Sequence, residues 1–216
     1  MNVVSELKES GLTAGIVRAE GVRPGPSPGE LLKRMRALVA ERKGQEFPPP
    51  ELRACIRTLL KKGGFKATGR NKPASEYLAQ AAREDRFPFL SNLVDINNYL
   101  SLLSGLPISL LDLDAVGSSI VLRLGRPGES FVFNASGQDI DVEGLINVCR
   151  AGGAPLGNPV KDSMEAKVGE RTTRVVGIIY TSGACTPRDE LEGHCASFAT
   201  MLRDYGGAGE TEVLIV

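Results

Sequence analysis

Several things are scarce in this chain, and each scarcity removes a class of function. The four cysteines, Cys55, Cys149, Cys185 and Cys195, are far apart and form no CxxC pair. Four scattered thiols in 216 residues read as reduced cytosolic cysteines rather than a disulfide framework. The one histidine, His194, follows Gly193 and precedes Cys195, and a zinc site wants paired ligands at short spacing. It reads as a structural histidine near the apolar face of a late helix, and no metal or other cofactor is expected. No GxGxxG or GxxxxGK spacing occurs among the glycines, which argues against those modes of nucleotide binding. Net charge is absent too: 26 Lys+Arg balance 26 Asp+Glu, so bulk electrostatics cannot hold the chain on nucleic acid, although a local basic patch still can. No apolar run approaches the roughly 20 residues of a membrane span. The start, MNVVSELKESG, lacks the basic-then-apolar order of a signal peptide, so a cytoplasmic location is expected.

What is present is an ordinary globular composition, 42% hydrophobic and 24% charged, with the means to bury a sizeable core. Residues 14–22 have the Val/Ile alternation of a strand, and the loop RPGPSPG follows. Ser27-Pro28-Gly29-Glu30 then reads as a helix start, with Ser27 capping, Pro28 in the first position and Glu30 completing a capping box. Leu31, Leu32, Met35, Leu38 and Val39 form its apolar stripe. A second helix opens at FPPPE with Leu52, Ile56, Leu59 and Leu60 inward, and Gly63-Gly64 ends it. A third runs from about Pro73 to Arg86, with Tyr77, Leu78, Ala81 and Ala82 inward. From about Asn92 to Gly105 comes a fourth. The pattern then turns to β over 118–125, 130–134, 145–149 and 174–182, before a last helix from Thr186-Pro187 and a terminal strand TEVLIV. Helices first, then strands, then a helix and a strand is an α+β order, read as one domain over residues 1–216. The apolar TEVLIV edge could pair between subunits of a homodimer.

The fourth helix poses a question of its own. Its polar positions are Asn97, Asn98, Ser101 and Ser104, amides and hydroxyls without a charge. A stripe facing bulk water usually carries charge. These residues therefore face protein or ligand: they either line a pocket or fasten the helix to neighbouring strand ends.

The string NLVDINNYLSLLSGLPISLLDLD (92–114), preceded by NKPASEYL and followed by SSIVLRLGRPGESF, resembles the B3/B4 tRNA-binding domain family. That domain occurs in the beta chain of phenylalanyl-tRNA synthetase and as free-standing proteins. PVKDSMEAKVGERTTRVVGIIY (159–180) is similar to the Asp-Ser signature of the free-standing members. The resemblance implies an α+β, three-layer domain with an irregular β-sandwich core covered by helices. It also implies a partner, the aminoacyl end of tRNA, and an activity, hydrolysis of mischarged aminoacyl-tRNA in trans. No complete synthetase fits in this length. Two positions depart from the synthetase's editing site: Ser109 stands where the synthetase has a histidine, and Met164, with Glu165 one place off, where the synthetase has a glutamate.

Lys161-Asp162-Ser163 is the chemical candidate. Ester hydrolysis needs an oriented water and donors for the developing oxyanion. Asp162 could orient the water, with Lys161 and Ser163 donating. The neighbouring ribose hydroxyl already activates the ester, so no covalent nucleophile is needed. A capped turn before a hairpin explains the same three residues. Asn98, Ser101, Ser109, Asp112 and Asp114 are the pocket candidates. Asp112 and Asp114 share a face if the segment is extended, or form a polar turn with Asp114 as a cap. Asn92 and Asp95 read as cap and third-position carboxylate. Lys61, Lys62, Lys66, Arg70 and Lys72 form a basic run without an acid, suited to an RNA backbone, with Phe65 available to stack on a base. A solvated helix end explains it as well. The other readings are a non-catalytic tRNA-binding or regulatory module, and a binder of a small amino-acid-like molecule on the same fold.

Overall fold

A computed structural model describes residues 1–7, 11–66 and 71–216. Its elements in order are β1 (Asn2–Ser5), β2 (Leu12–Glu20), α1 (Gly29–Lys43), α2 (Pro50–Lys61), α3 (Ala74–Arg83), α4 (Asn92–Ser104), β3 (Ile108–Asp112), α5 (Leu113–Val116), β4 (Ser119–Leu124), β5 (Ser130–Val132), β6 (Asp139–Asp141), β7 (Ile146–Arg150), β8 (Pro155–Gly157), β9 (Arg174–Ser182), α6 (Arg188–Asp204) and β10 (Glu210–Ile215). The fold is α+β, with two four-stranded sheets, β1-β4-β7-β8 and β10-β2-β9-β3, and a small β5-β6 ribbon.

The second sheet explains the layering. Strands β2 and β9 pair antiparallel along nine residues, from Leu12 opposite Ser182 to Glu20 opposite Arg174. Nearly all of β9 is buried, so both of its faces are covered. On one face, Gly177 lies under the Phe198 ring, and Gly15 lies under Cys195 and Leu191, all three from α6. A side chain at either glycine would push the helix off the sheet, which is why glycine stands there. On the other face, Tyr180 and Ser109 meet the segment around Asn158 that leaves the first sheet. Helix α4 packs against α1, α3, α6 and β3. Helices, sheet and sheet thus make the three layers. Fully buried Leu93, Ile96, Leu102, Leu111 and Ile178 are among the residues that fill them, each worth about 1.5–3 kcal/mol of burial.

The longer periodic segments lie where the sequence placed them. Differences occur where the chain turns sharply or where partners are remote. Ser27 does not cap α1: its hydroxyl donates to Asp95 Oδ2 at 2.6 Å, and Pro28 is the cap residue. Asn92 and Asp95 serve as staples between segments. The Asn92 amide donates to the carbonyls of Arg23 and Tyr205, both at 2.9 Å, and its oxygen accepts from the Gly25 and Leu93 N–H groups. Asp95, which accepts also from the Leu90 N–H, has its pKa raised by burial, against the pull of those hydrogen bonds. Tyr77, expected inward, is 52% exposed. Phe65, expected to be available for stacking, is in the core. The segment after Gly-Leu-Pro is a strand, β3, before the turn begins at Asp112.

The cysteine expectation is also corrected. Cys55 on α2 and Cys185, just before α6, form a disulfide with Cα atoms 5.5 Å apart, bridging a sequence separation of 130. Nothing local marks such a pair, because the fold alone brings it together. Cys149 and Cys195 are free and buried, and burial pushes their thiols up, to about 11 and about 12. His194 is half-buried and lies 3.5 Å from Glu190 one turn back.

Candidate functional site

A pocket of about 740 Å³ opens between α3, α4 and the turn after β8. Leu78, Leu90, Val94 and Val160 give it apolar walls, and Asn98 on α4 supplies an amide. Lys72, Arg86 and Lys161 stand around it. Among described residues these cations have local supports. Lys72 Nζ donates to Gln80 Oε1 at 3.3 Å, Arg86 lies over the Tyr77 ring at 5.3 Å, and Lys161 Nζ lies 3.5 Å from the Phe133 ring centroid. Apolar walls with a few placed polar groups are the usual make-up of a small-molecule site.

The turn that carries Lys161 is built by Asn158. Its side-chain oxygen accepts from the Val160 and Lys161 N–H groups, both at 2.9 Å, and its amide donates to Asn147 Oδ1 at 3.3 Å. The chain then turns inward, so that Asp162 bridges Gly157 and presents Oδ2 to the Leu110 N–H at 3.4 Å. Its Oδ1 is buried without a hydrogen-bond partner. That desolvation pushes the Asp162 carboxyl up to about 7, against Ser109, the Leu110 N–H and Lys167, which favour the charged form. Beside it, Tyr180 donates to Ser109 Oγ at 3.0 Å, and Ser109 donates to the Asn158 carbonyl at 3.2 Å. Burial and the nearby Asp162 carboxylate hold the Tyr180 hydroxyl well above its usual pKa.

The uncharged stripe of α4 therefore divides. Asn98 faces the pocket. Ser101 donates to the Leu106 carbonyl at 2.7 Å and Asn97 to the Ile108 carbonyl at 3.5 Å, tying the helix to the loop before β3 and to the start of β3, while Ser104 donates back to the Leu100 carbonyl within α4 at 2.8 Å and accepts from the Leu106 N–H at 3.2 Å. Of the other candidates, Lys161 and Lys72 join Asn98 at the pocket. Asp162, Ser109 and the buried Ser163, whose Oγ accepts from the Ala166 N–H at 3.2 Å, lie in the wall behind it. Asp112 caps α5, accepting from the Asp114 N–H at 2.9 Å and from Thr172 Oγ1 at 2.5 Å. Asp114 pairs with Arg174 in a separate hollow beside Arg18. Lys61, Lys62 and Lys66 are exposed, and Lys62 borders another hollow with Arg188. Arg70 lies outside the described residues. Sequence reasoning missed Arg86, Tyr77 and Phe133. Arg86 comes from the loop after α3, and Tyr77 counts as inward on a helical wheel that cannot tell core from pocket rim.

Segments on both sides of this pocket belong to one sequence family. The family model of the B3/4 domain matches residues 64–181, more than half of the chain, and the protein belongs to that family. Among relatives, it is 33% identical over 107 residues to a phenylalanine–tRNA ligase beta subunit of Anaeromyxobacter dehalogenans (strain 2CP-C), an alignment covering 48% of this chain and 13% of that protein. Among solved structures, it resembles an N-terminal fragment of the phenylalanyl-tRNA synthetase beta subunit from Pyrococcus horikoshii, with a TM-score of 0.50 at 13% identity, over 100% of this chain and 54% of that one. The second likeness is one of fold. The chain thus spans a small part of its curated relative and about half of the structural one.

Proposed function

We propose that this protein binds the aminoacyl end of tRNA and hydrolyses wrongly attached amino acids in trans, in the cytoplasm, as one B3/4-like domain over residues 1–216. The observation that carries the reading is the pocket itself: Asn98 and Lys161, from two segments of the family span, converge on an apolar cavity of about 740 Å³. In this reading the acyl group enters along Leu78, Val94 and Val160. Asn98 and the Lys161 ammonium donate to the ester carbonyl as its oxygen becomes an oxyanion. Water attacks an ester already activated by the vicinal ribose hydroxyl, so the protein needs no covalent nucleophile. Asp162 and Ser163 act as positioning residues, pinning the Lys161 turn against β3. The exposed Lys61, Lys62 and Lys66 lie along the RNA backbone.

The test is deacylation of a panel of aminoacyl-tRNAs, each charged with right and wrong amino acids, at catalytic protein concentration. Turnover should appear on a mischarged pair, and Lys161→Ala should lower kcat by about 10²–10³-fold, the usual loss for an oxyanion donor. One observation favours a second reading, a tRNA-binding module without turnover: the Asp162 carboxylate faces β3 rather than the pocket. Salt-sensitive tRNA binding that falls on Lys61/Lys62/Lys66→Glu, with no deacylation on any pair, would establish that alternative.

A further inference from the structure

Strand β10 lies at one edge of the second sheet, pairing with β2 and, among the described residues, with no strand beyond it. Val216 and Ala14 exchange both of their backbone hydrogen bonds, at 2.9 and 3.0 Å. In an antiparallel ladder such pairs alternate with unbonded ones, so Leu214 and Glu212 also bond inward, to Ile16 and Arg18. Thr211, Val213 and Ile215 therefore turn their N–H and C=O groups away from β2, and among the described residues no backbone group meets them. Natural proteins guard such an edge with Lys, Pro or a bulge. From Thr211 to Ile215 the strand has no Lys and no Pro, and its register with β2 is unbroken. Its second half is the apolar stretch Val213-Leu214-Ile215, where Val213 is 43% and Leu214 42% exposed.

We infer that β10 pairs antiparallel with β10 of a second copy of this chain, about a two-fold axis at Val213, joining two four-stranded sheets into one. The strand is self-complementary in that register. Outward-facing residues must meet outward-facing residues, and with the axis at Val213 all of them do: Val213 meets the partner's Val213, and Thr211 meets the partner's Ile215. Each such pair exchanges two hydrogen bonds. The acids fall opposite apolar residues, Glu212 against the partner's Leu214 and Glu210 against the partner's Val216. Moving the axis to Glu212 would set that carboxylate against its own copy, and like charges directly opposite are destabilising. Moving it to Leu214 would carry Thr211 past the end of the partner's β10. The far edge of the sheet, β3, is already bridged at Leu111 by Lys167, so the pairing closes at two copies instead of growing into a fibre. No residue of β10 lines the pocket beside α3 and α4, so the inference stands apart from the proposed function.

Sedimentation velocity of the full chain, from about 1 to about 100 μM, tests it. The wild type should pass from a single chain of 23.0 kDa to twice that mass as concentration rises. Val213→Pro removes an outward N–H without breaking a bond to β2, and edge strands tolerate proline there. That variant should stay monomeric at every concentration, with an unchanged far-UV circular dichroism spectrum. Cysteine variants read the register. Val213→Cys treated with diamide should give a disulfide-linked dimer, because Cα atoms of a hydrogen-bonded pair lie about 5.5 Å apart. Thr211→Cys and Ile215→Cys should not, since each lies roughly 13 Å from its own copy in this register. The wild type, whose free thiols Cys149 and Cys195 are buried, should give no such product. A chain monomeric throughout would overturn the inference and leave the edge to a strand of another protein. Dimerisation that survives Val213→Pro, or equal cross-linking from all three cysteine variants, would overturn it as well.

Discussion

The substitution Asp162→Asn should change how stability depends on pH, and the direction follows from the surroundings of the native carboxylate. Oδ1 is buried without a partner and Oδ2 has one long bond from the Leu110 N–H, so burial raises the carboxyl to about 7. In the unfolded chain the same group titrates near the reference value of about 3.9. Between these values the folded protein keeps a proton that the unfolded chain has released. Folding stability is therefore lost as pH rises from about 4 through about 7, and is lowest above that window. Three pKa units correspond to roughly 4 kcal/mol as a ceiling. The residue as a whole keeps some exposure, so a change of about 2–4 kcal/mol is expected. An asparagine side chain has nearly the shape of aspartate and no charge, so the variant lacks this slope. Urea denaturation of both proteins at intervals from pH 4.5 to 8.5 gives the difference in unfolding free energy at each pH. The variant should gain on the wild type steadily across the window and level off near pH 8. Curves that stay parallel within about 0.5 kcal/mol would show that the carboxylate is solvated in the folded protein and would refute the reasoning.

Gly177→Ala should destabilise the fold, because its Cβ would come within 2.8 Å of Phe198 Cζ beneath α6. Overpacking of this kind costs about 1–3 kcal/mol, and a thermal melt should show recovery when Phe198→Leu is added. Cys55→Ser, which removes a bridge across a separation of 130, should lower stability by about 2–5 kcal/mol in non-reducing buffer and make the melting temperature insensitive to dithiothreitol. Glu129→Ala would remove the counter-charge of Arg123, whose side chain is 5% exposed and donates two 2.7 Å bonds to that carboxylate; a loss of about 3–5 kcal/mol in chemical denaturation is expected.

Legibility in the sequence followed the range of the interactions. Helices α2, α4 and α6 and strands β4 and β9 are long enough for their periodicity to speak, and Gly105, in the left-handed region at φ 78°, ends α4 as a Gly after a helix should. Strand β8 is Pro-Leu-Gly, three residues whose strand character comes from pairing with β7 and from the bridge between Gly157 and Asp162. Strand β3 lies in an apolar run after Gly-Leu-Pro whose composition does not separate a buried strand from a turn. Ser27 matches a capping box by spacing, yet its partner is Asp95, 68 residues on. The site divided in the same way. Asn98 and Lys161 could be named from segments that carry family motifs. Arg86, Tyr77 and Phe133 reach the pocket from places where sequence spacing says nothing about direction, and the inward turn of Asp162 depends on a backbone bridge to Gly157.

The long pairing of β2 with β9 bears on the order in which the molecule can be made. Residues 12–20 lie between strands drawn from 174–182 and 210–215, and β3 has no neighbour in that sheet but β9. During synthesis β2 emerges early and must wait, with both edges unpaired, for partners that arrive only after helices α1–α5 and the whole first sheet. Contacts of such long sequence separation make folding slow, and waiting edges are where a nascent chain pairs wrongly. A chain truncated before residue 174 would therefore hold helices α1–α5 and the β1-β4-β7-β8 sheet able to form, while β2 and β3 remained protease-sensitive; only the last forty or so residues, about one-fifth of the chain, would close the structure.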